Sequence, residues 1–314
     1  MTLYVTHEAF LNHDTTANHP ECPDRLRAVE VALAHADFQS LTRLEAPLAS
    51  IEQIARVHPQ RHIDTIELAS QQAGTGAPVF LDADTVLSEG SFEAAQRAAG
   101  GVCAAVDAVL AGDTGNAFCA VRPPGHHAEP AKAMGFCLFN NIAVGARYAQ
   151  TKPGIERVAI VDFDVHHGNG TQAVFEADAS CFYSSSHQSP HYPGTGGSHE
   201  TGVGNILNVP LSSGAGTSEI YEAYEGLILP ALAEFAPDML FVSAGFDAHE
   251  DDPLAGLMFT TDDYVWLSEQ LCQFAQRNCQ GRLVSVLEGG YNLTALADSV
   301  SAHVRTLMAY TSLQ

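Results

Sequence analysis

Positive charge is scarce in this 314-residue sequence. It contains 14 lysine and arginine residues against 37 aspartate and glutamate residues, which gives a formal net charge of −23 at pH 7. Proteins that bind nucleic acid need basic patches to neutralise phosphate, so we expect no nucleic-acid partner. Such a negative field would attract a cationic substrate, although acidity also serves simply to keep a protein in solution.

Paired cysteines and long hydrophobic runs are also missing. The seven cysteines include no C-x-x-C pair, and several stand in apolar runs such as 101–104 and 117–120, where cysteine is usually a small buried side chain. We therefore expect neither a disulfide framework nor a thiolate metal site. No stretch has the length of a membrane-spanning helix, and the first residues lack a signal-peptide pattern. These features predict a protein of the reducing cytoplasm without a membrane partner, and they are compatible with a homo-oligomer.

Strand-like and helix-like segments alternate along the chain. The predicted strands are 2–6, 117–121, 157–163, 181–185, 206–209, 238–243 and 282–287. The predicted helices are 25–36, 92–110, 141–150, 218–235, 263–276 and 296–309. A segment rich in glycine, serine and histidine, 187–205, is predicted to be a long loop. The alternation predicts an α/β fold in which a mostly parallel central sheet carries helices on both faces, and we expect one domain spanning 1–314.

The segment VDFDVHHGNG at 161–170 carries the densest set of candidate metal ligands. Asp162, Asp164 and His166 are spaced i, i+2, i+4, so an extended backbone directs the three side chains to one side. Two carboxylates and an imidazole without a thiolate suit Zn²⁺, with Fe²⁺, Mn²⁺ or Co²⁺ as alternatives. A single D-x-D is more often a salt-bridged strand end. The two histidines and the Gly-x-Gly turn that follow make metal binding the better hypothesis here.

A catalytic Zn²⁺ takes three protein ligands, and a further candidate follows another predicted strand. The apolar run 239–242 leads through a glycine to Asp247. Ligands collect beyond the carboxyl ends of parallel strands, so Asp247 should lie at the same sheet edge as the first cluster. The next acids, Glu250, Asp251 and Asp252, are predicted to form a solvated loop rather than to add ligands.

Acid–base and hydrogen-bonding candidates follow two more predicted strands. His126 and His127 stand in RPPGHH, where prolines and a glycine favour a rigid turn, and histidine is the usual general base near neutral pH. Tyr291 follows two glycines in LEGGY, so its phenol is free to point into a cleft and to donate to a polarised carbonyl. Either motif alone is common in structural turns. The hypothesis depends on their occurring together with the metal ligands.

Together these segments resemble the histone deacetylase superfamily, in particular the class II-like branch that includes bacterial deacetylase-like amidohydrolases. The similar segments, in the order of the family, are HPECPDRL at 19–26, RPPGHHAE at 122–129, GFCLFNN at 135–141, DFDVHHGNGTQ at 162–172, HQSPHYPGTG at 187–196, GFDAHEDDPLAG at 245–256 and EGGY at 288–291. The resemblance covers nearly the whole chain. It implies an arginase/deacetylase-type α/β fold and a zinc-dependent amidohydrolase that removes acetyl groups from lysine side chains of proteins or peptides.

The resemblance also implies roles for individual residues. The implied Zn²⁺ ligands are Asp164, His166 and Asp247. His126 and His127 correspond to the tandem catalytic histidines, and Tyr291 to the tyrosine that polarises the carbonyl. Asp162 would orient His126 and contribute to a structural monovalent-cation site, usually K⁺. Asn169 stands beside His127 where some relatives have aspartate, and a neutral amide should raise the pKa of His127 less than a carboxylate would.

Four residues are implied to face the substrate. Phe136 and Tyr192 would form the walls of an acyl-lysine channel, and the Gly135 carbonyl would meet the substrate amide N–H. Relatives specific for acetylpolyamines place an acidic residue shortly after the third metal ligand, where this sequence has Leu254. Leu254 favours acyl-lysine, and hydrolysis of acetylpolyamines or other small acylated amines is the alternative. A binuclear Mn²⁺ hydrolase of the arginase type and an inactive scaffold fit these residues less well.

Overall fold

The computed structural model describes residues 1–311 of the chain; 312–314, which the predicted domain 1–314 includes, lie outside the described residues. The strands are β1 (Thr2–Thr6), β2 (Thr42–Glu45), β3 (Val79–Phe80), β4 (Val86–Leu87), β5 (Asn116–Cys119), β6 (Val158–Asp162), β7 (Cys181–Gln188), β8 (Ile206–Leu211), β9 (Met239–Ala244) and β10 (Leu283–Leu287). The helices are α1 (Pro23–Leu33), α2 (Ile51–Ile54), α3 (Gln60–Ala73), α4 (Ser91–Ala111), α5 (Asn141–Ala149), α6 (Asn169–Phe175), α7 (Thr217–Ala223), α8 (Leu229–Phe235), α9 (Thr261–Asn278) and α10 (Leu293–Thr311).

A single parallel sheet forms the centre of the fold. Its eight strands follow the order β2-β1-β5-β10-β9-β6-β7-β8, and each neighbouring pair is parallel. Strands β6, β9 and β10 are buried along their whole length. Continuous burial of this kind is typical of parallel strands that are covered by helices on both faces. The predicted α/β fold with a parallel sheet and flanking helices is therefore confirmed.

The central strands end at the same level, and this positions the site. Asp162 at the end of β6 pairs with Ser243 of β9, and Ala244 of β9 pairs with Leu287 of β10. The segments that leave β5, β6, β9 and β10 therefore start from one edge of the sheet. All the sequence motifs that follow these strands are brought to that edge, as expected for an open parallel sheet.

Local capping explains several helix boundaries. Helix α1 begins with Pro23, which has no N–H and a fixed φ suited to the first helical position. The Asn140 side chain accepts from the Ala143 N–H at 3.0 Å and begins α5. In α9 the Asp263 carboxylate accepts from the Thr260 N–H at 2.7 Å. This capping box starts the helix at Thr261, slightly earlier than the predicted 263.

The secondary-structure prediction was wrong in several places, of which three have a clear physical reason. The predicted helix 218–235 is interrupted by a π-helical turn over Tyr224–Ile228, because Pro230 has no N–H for the regular ladder and its ring crowds the preceding turn. The predicted loop 187–205 begins too early. His187 and Gln188 belong to β7 and pair with β8. Helix α3 was not predicted, although Ile63, Ile66 and Ala73 are buried at helical spacing.

Polar side chains explain why the predicted strand 181–185 is shorter than the observed strand β7. The His187 ring contacts the Ser185 hydroxyl at 2.9 Å and the Gly196 carbonyl at 3.1 Å, so this polar ring is buried with both nitrogens in hydrogen bonds. Among the described residues, no helix combines the length and the apolar character needed to cross a bilayer.

Candidate active site

Asp164, His166 and Asp247 come together in a buried cluster at the carboxyl edge of the sheet. One potential ligand atom from each residue lies within 4.8 Å of the others. His166 Nδ1 lies 3.0 Å from an Asp164 oxygen and 3.2 Å from Asp247 Oδ2. Two residues come from the end of β6 and the third from the end of β9. The structure therefore brings these three predicted residues together in one cluster.

The carboxylates of this cluster are held from behind by backbone donors. Asp164 accepts from the Gly289 N–H at 2.8 Å, and Asp247 Oδ1 accepts from the Val165 N–H at 2.9 Å. The second oxygen of Asp247, Oδ2, is buried and accepts no hydrogen bond among the described residues. A Cβ on Gly289 would lie 2.0 Å from that atom, so only glycine allows the backbone so close. A buried carboxylate oxygen whose neighbours are a second carboxylate and an imidazole belongs to a donor set that fits a divalent cation.

His126 and His127 lie next to this cluster, with ring centroids 4.0 Å apart. His126 Nδ1 lies 3.0 Å from Asp162 Oδ2, which also accepts from the Tyr183 hydroxyl at 3.0 Å. His127 Nδ1 lies 2.8 Å from the Asn169 side-chain oxygen. Each histidine is therefore held through Nδ1 by a side chain, Asp162 for His126 and Asn169 for His127. Its Nε2, on the opposite edge of the ring, points away from that side chain.

The two histidines have opposite electrostatic surroundings. Burial by itself would lower the pKa of His126, but the carboxylates of Asp164 and Asp162 outweigh it and raise the pKa to about 10. The pKa of His127 is lowered well below 6.5, because burial acts together with the positive charges of His126 and His166. The charged form is thus favoured on His126 and the neutral form on His127. A cation bound to Asp164 would weaken the contribution of that carboxylate to His126.

The backbone of His126 is fixed by a buried glutamate that follows β10. Glu288 accepts from the Gly125 N–H at 2.7 Å and from the His126 N–H at 3.1 Å, and its other oxygen accepts from the Ser243 hydroxyl at 3.0 Å. Burial raises the pKa of Glu288 to about 7. The loop RPPGHH therefore obtains its rigidity from this glutamate as well as from its prolines.

A cleft of about 360 Å³ leads from the surface to the cluster. Its lining residues are Pro20, Asp84, His127, Gly135, Phe136, His166, His191, Tyr192, Leu254 and Tyr291. All four predicted substrate-facing residues are among them. The Tyr192 ring stands edge-on to His127 at a centroid distance of 5.1 Å, and the Phe136 ring stands edge-on to Tyr291 at 5.9 Å. Both predicted aromatic residues therefore line the cleft.

One wall of the cleft depends on an unusual backbone. Gly135 and Phe136 both adopt left-handed φ values, 56° and 67°. A Cβ on Gly135 would lie 2.5 Å from Cδ2 of His127. Only glycine permits this approach, and a left-handed phenylalanine costs on the order of 1–3 kcal/mol. This strained turn places the Phe136 ring against the cleft and brings residue 135 onto the edge of His127.

Tyr291 is positioned by its loop and by the N-terminal segment. Asp252 accepts from the Tyr291 N–H at 2.6 Å and from the Asn292 N–H at 3.1 Å. Arg25 lies over the Tyr291 ring, 4.9 Å from its centroid, and donates to the Gly290 carbonyl at 2.6 Å. The prediction that Asp252 belongs to a solvated loop was wrong. It is buried because the turn at Tyr291 needs an acceptor, whereas Glu250 and Asp251 are exposed.

Arg25 belongs to a buried ion network that sequence reasoning missed. Glu21 accepts from Arg25 at 3.0 Å and from both Arg122 Nε at 2.5 Å and Arg122 Nη2 at 2.8 Å. Burial alone would raise the pKa of Glu21, but the two guanidinium groups and His13 lower it to about 2. The network ties the HPECPDRL segment to the loops that carry His126 and Tyr291. The motif contained these residues, but nothing in it indicated what they bind.

The fold and this cluster define a class of α/β proteins in which an Asp–His–Asp cluster able to hold a metal ion lies at the carboxyl edge of a parallel sheet. The family model "Histone deacetylase domain" matches residues 19–307. The "Histone deacetylase 10, chloroplastic" of Oryza sativa subsp. japonica is 41% identical over 98% of this chain and 72% of its own length. The "Histone deacetylase-like amidohydrolase" of Pseudomonas aeruginosa is 41% identical over 88% of this chain and 73% of its own. The crystal structure of the HDA15 HD domain superposes with a TM-score of 0.93 at 37% identity, covering 99% of this chain and 90% of that one. The chain belongs to the histone deacetylase family.

Proposed function

We propose that the protein is a zinc-dependent amidohydrolase that removes acetyl groups from lysine side chains of proteins or peptides. The observation that carries this proposal is the cleft, which is walled by Phe136 and Tyr192 and ends at the Asp164–His166–Asp247 cluster. A cleft walled by aromatic rings fits the extended alkyl chain of a lysine side chain. Zn²⁺ held by the three ligands would polarise the amide carbonyl and lower the pKa of a bound water.

His127 is proposed as the general base. Its lowered pKa favours the neutral ring, and with Nδ1 donating to Asn169 the lone pair of Nε2 is available to take a proton from water. Tyr291 lines the same cleft and is proposed to donate its hydroxyl hydrogen bond to the oxygen on which negative charge develops. Both groups are held by the surrounding loops before substrate binds, so little reorganisation is needed during the reaction.

His126 is proposed to protonate the departing amine. Its pairing with Asp162 favours the imidazolium form, which can give up a proton. The Gly135 carbonyl, at the strained turn beside His127, is proposed to accept from the substrate amide N–H. The family resemblance further points to a structural K⁺ ion near Asp162. We also propose that 1–314 acts as one catalytic domain in the cytoplasm, without nucleic-acid or membrane partners.

Small acylated amines are a second candidate substrate class, and one observation favours them. Asp84 is a half-buried acid that lines the cleft, whereas Glu250 and Asp251 are exposed and do not. A carboxylate in this position could bind the distal ammonium of an acetylpolyamine, or equally the N–H groups of a peptide. Leu254, also in the cleft, offers no charge, and it favours the peptide.

The test is a turnover comparison on zinc-loaded protein. Acetyl-lysine peptides, longer acyl-lysine peptides and acetylpolyamines are supplied at matched concentrations, and kcat/KM is measured for each. We expect acetyl-lysine peptides to give the highest value. A higher value for the polyamines would reassign the substrate class, and failure to hydrolyse any amide would refute the proposed function.

A further inference from the structure

The Asn169 side chain is held between His127 and Glu129. Its oxygen lies 2.8 Å from His127 Nδ1, and its nitrogen donates to the Glu129 carboxylate at 2.9 Å and towards the His127 carbonyl at 3.4 Å. Asn169 is buried, so water does not compete freely for these contacts. The three groups form a chain from a half-buried carboxylate to the proposed base.

The two acceptors next to Asn169 decide which way its amide points. A carboxylate and a backbone carbonyl accept hydrogen bonds but do not donate them, so the NH₂ end must face Glu129 and the His127 carbonyl. The oxygen end then faces His127 Nδ1. Because an amide oxygen only accepts, Nδ1 must carry the ring proton, and Nε2 keeps its lone pair. The acceptor chemistry of these two partners therefore fixes the orientation of the Asn169 amide.

We propose that Glu129 is a positioning residue that orients Asn169 and thereby keeps His127 in the tautomer that can act as a base at Nε2. The consequence for catalysis rests on the function proposed above, whereas the effect on the tautomer does not. Glutamine at position 129 could present either end of its amide and would no longer fix the orientation of Asn169. What Glu129 contributes is a side chain of the right length whose oxygens accept hydrogen bonds and cannot donate them.

The backbone of Glu129 is rigid enough for this role. Glu129 and Lys132 form two backbone hydrogen bonds across a tight turn, at 2.9 Å and 3.3 Å. Within that turn the Pro130 carbonyl contacts His58 Nδ1 at 3.0 Å, so the turn is anchored to the segment between α2 and α3. The carboxylate therefore approaches Asn169 from a fixed base. A freely moving surface glutamate could not hold one orientation of a buried amide.

The first test is the tautomer of His127, read from ¹⁵N NMR of the zinc-loaded protein and assigned by loss of the signals in His127→Ala. In the native protein we expect the proton on Nδ1. In Glu129→Gln the population with the proton on Nε2 should become measurable, and kcat should fall roughly tenfold while KM changes little. The matched control is Glu30→Gln, since Glu30 is also half-buried and accepts one side-chain hydrogen bond, from Tyr4 at 2.8 Å. It should leave tautomer and kcat unchanged.

The second test is a double-mutant cycle. Asn169→Asp places two carboxylates against each other, so it should lower kcat strongly. Adding Glu129→Gln restores a donor to that contact, and the double variant should recover activity relative to Asn169→Asp alone. A double variant no more active than Asn169→Asp would show that Glu129 does not act through residue 169, and that result would overturn the proposal. An unchanged tautomer and kcat in Glu129→Gln, in a native protein that does hydrolyse amides, would refute the positioning role alone. An inactive native protein with a shifted tautomer in the variant would refute only the proposed function.

Discussion

Asp247 Oδ2 lies 3.2 Å from His166 Nδ1 and is otherwise surrounded by protein that offers it no hydrogen bond among the described residues. Burial and the charge of Asp164 raise the pKa of Asp247, which means that its ionised form is unfavourable by itself. A buried acceptor without a donor costs about 1–3 kcal/mol, and more when the group is charged. A divalent cation shared by the three side chains would remove this cost.

The first prediction is that metal and activity depend on Asp247 together. Chelation should abolish amide hydrolysis, and Zn²⁺ or Co²⁺ should restore it. Asp247→Ala removes one of three ligands, so the bound metal per chain, measured by elemental analysis, should fall along with turnover. Asp251→Ala is the control, because Asp251 stands in the same loop with 70% of its side chain exposed. Full turnover by metal-free protein would contradict the proposed mechanism.

The second prediction concerns the phenol of Tyr291. Tyr291→Phe keeps the ring that contacts Phe136 and Arg25, and it removes only the hydroxyl donor. Loss of one donor to a developing oxyanion typically costs about 10²–10³ in rate, so kcat should fall by this factor while metal content stays constant. Tyr148→Phe removes a hydroxyl that contacts Asp107 on the exposed side of α5 and should have no effect. Unchanged turnover in Tyr291→Phe would mean that the phenol does not take part.

The site residues could be predicted because their chemistry and their placement are both local in sequence. Each predicted site residue follows a short apolar run within a few positions, as do Asp164, His166, Asp247 and Tyr291. Parallel strands bring such positions to one edge of the sheet. Neither step needs knowledge of distant contacts. The fold class could be predicted for the same reason, since buried parallel strands are recognisable as apolar segments between helical ones.

The supporting residues could not be predicted, because their roles arise from contacts between distant segments. Arg25 donates a hydrogen bond to the Gly290 carbonyl, which is 265 positions further along the chain. The sequence predicts that Asp252 lies in a solvated loop, whereas in the structure its carboxylate accepts from the Tyr291 N–H. Asp84 stands in a short polar segment with no recognisable motif, and only the three-dimensional structure places it in the cleft. Polar partners of this kind are determined by tertiary geometry, which local periodicity does not encode.

The third prediction concerns stability in acid. Arg122 and Arg25 lower the pKa of buried Glu21 from 4.5 to about 2. The folded pKa lies below the unfolded one, so the stabilisation is present above about pH 4.5 and is lost as the pH falls towards 2. The shift corresponds to roughly 3 kcal/mol in the free energy of unfolding.

Glu21→Gln should therefore lower the urea midpoint at pH 7 and flatten its decline between pH 5 and 3, compared with the native protein. Removing one partner of a buried ion network costs about 3–5 kcal/mol, because the arginines remain buried without a counter-charge. Glu52→Gln is the control, since the Glu52 side chain is 83% exposed in its pair with Arg56 and surface pairs contribute little. Identical pH slopes for native protein and Glu21→Gln would show that Glu21 does not contribute to acid unfolding.

The fourth prediction concerns substrate choice and depends on Leu254. Leu254 is half-buried in the cleft, where it can pack against a lysine stem but gives a distal ammonium no partner. Leu254→Glu should shift preference towards acetylpolyamines by supplying a charge-assisted hydrogen bond. Such bonds contribute about 1.5–3 kcal/mol, or roughly tenfold to a hundredfold in relative efficiency when partly desolvated.

The measurement is the ratio of kcat/KM for an acetylpolyamine to kcat/KM for an acetyl-lysine peptide, taken in the native protein and in Leu254→Glu, with Leu254→Gln as the uncharged control. If the charge is what matters, the glutamate variant should raise the ratio and the glutamine variant should not. If the native protein already prefers the polyamine, the acyl-lysine proposal is wrong, and Asp84 becomes the residue expected to bind the ammonium group. The other acids are poorer candidates. Asp252 accepts hydrogen bonds from the turn at Tyr291, and Glu250 and Asp251 are exposed outside the cleft. In that case Asp84→Asn should lower the polyamine ratio at least tenfold, since an amide cannot replace the charge that the ammonium requires.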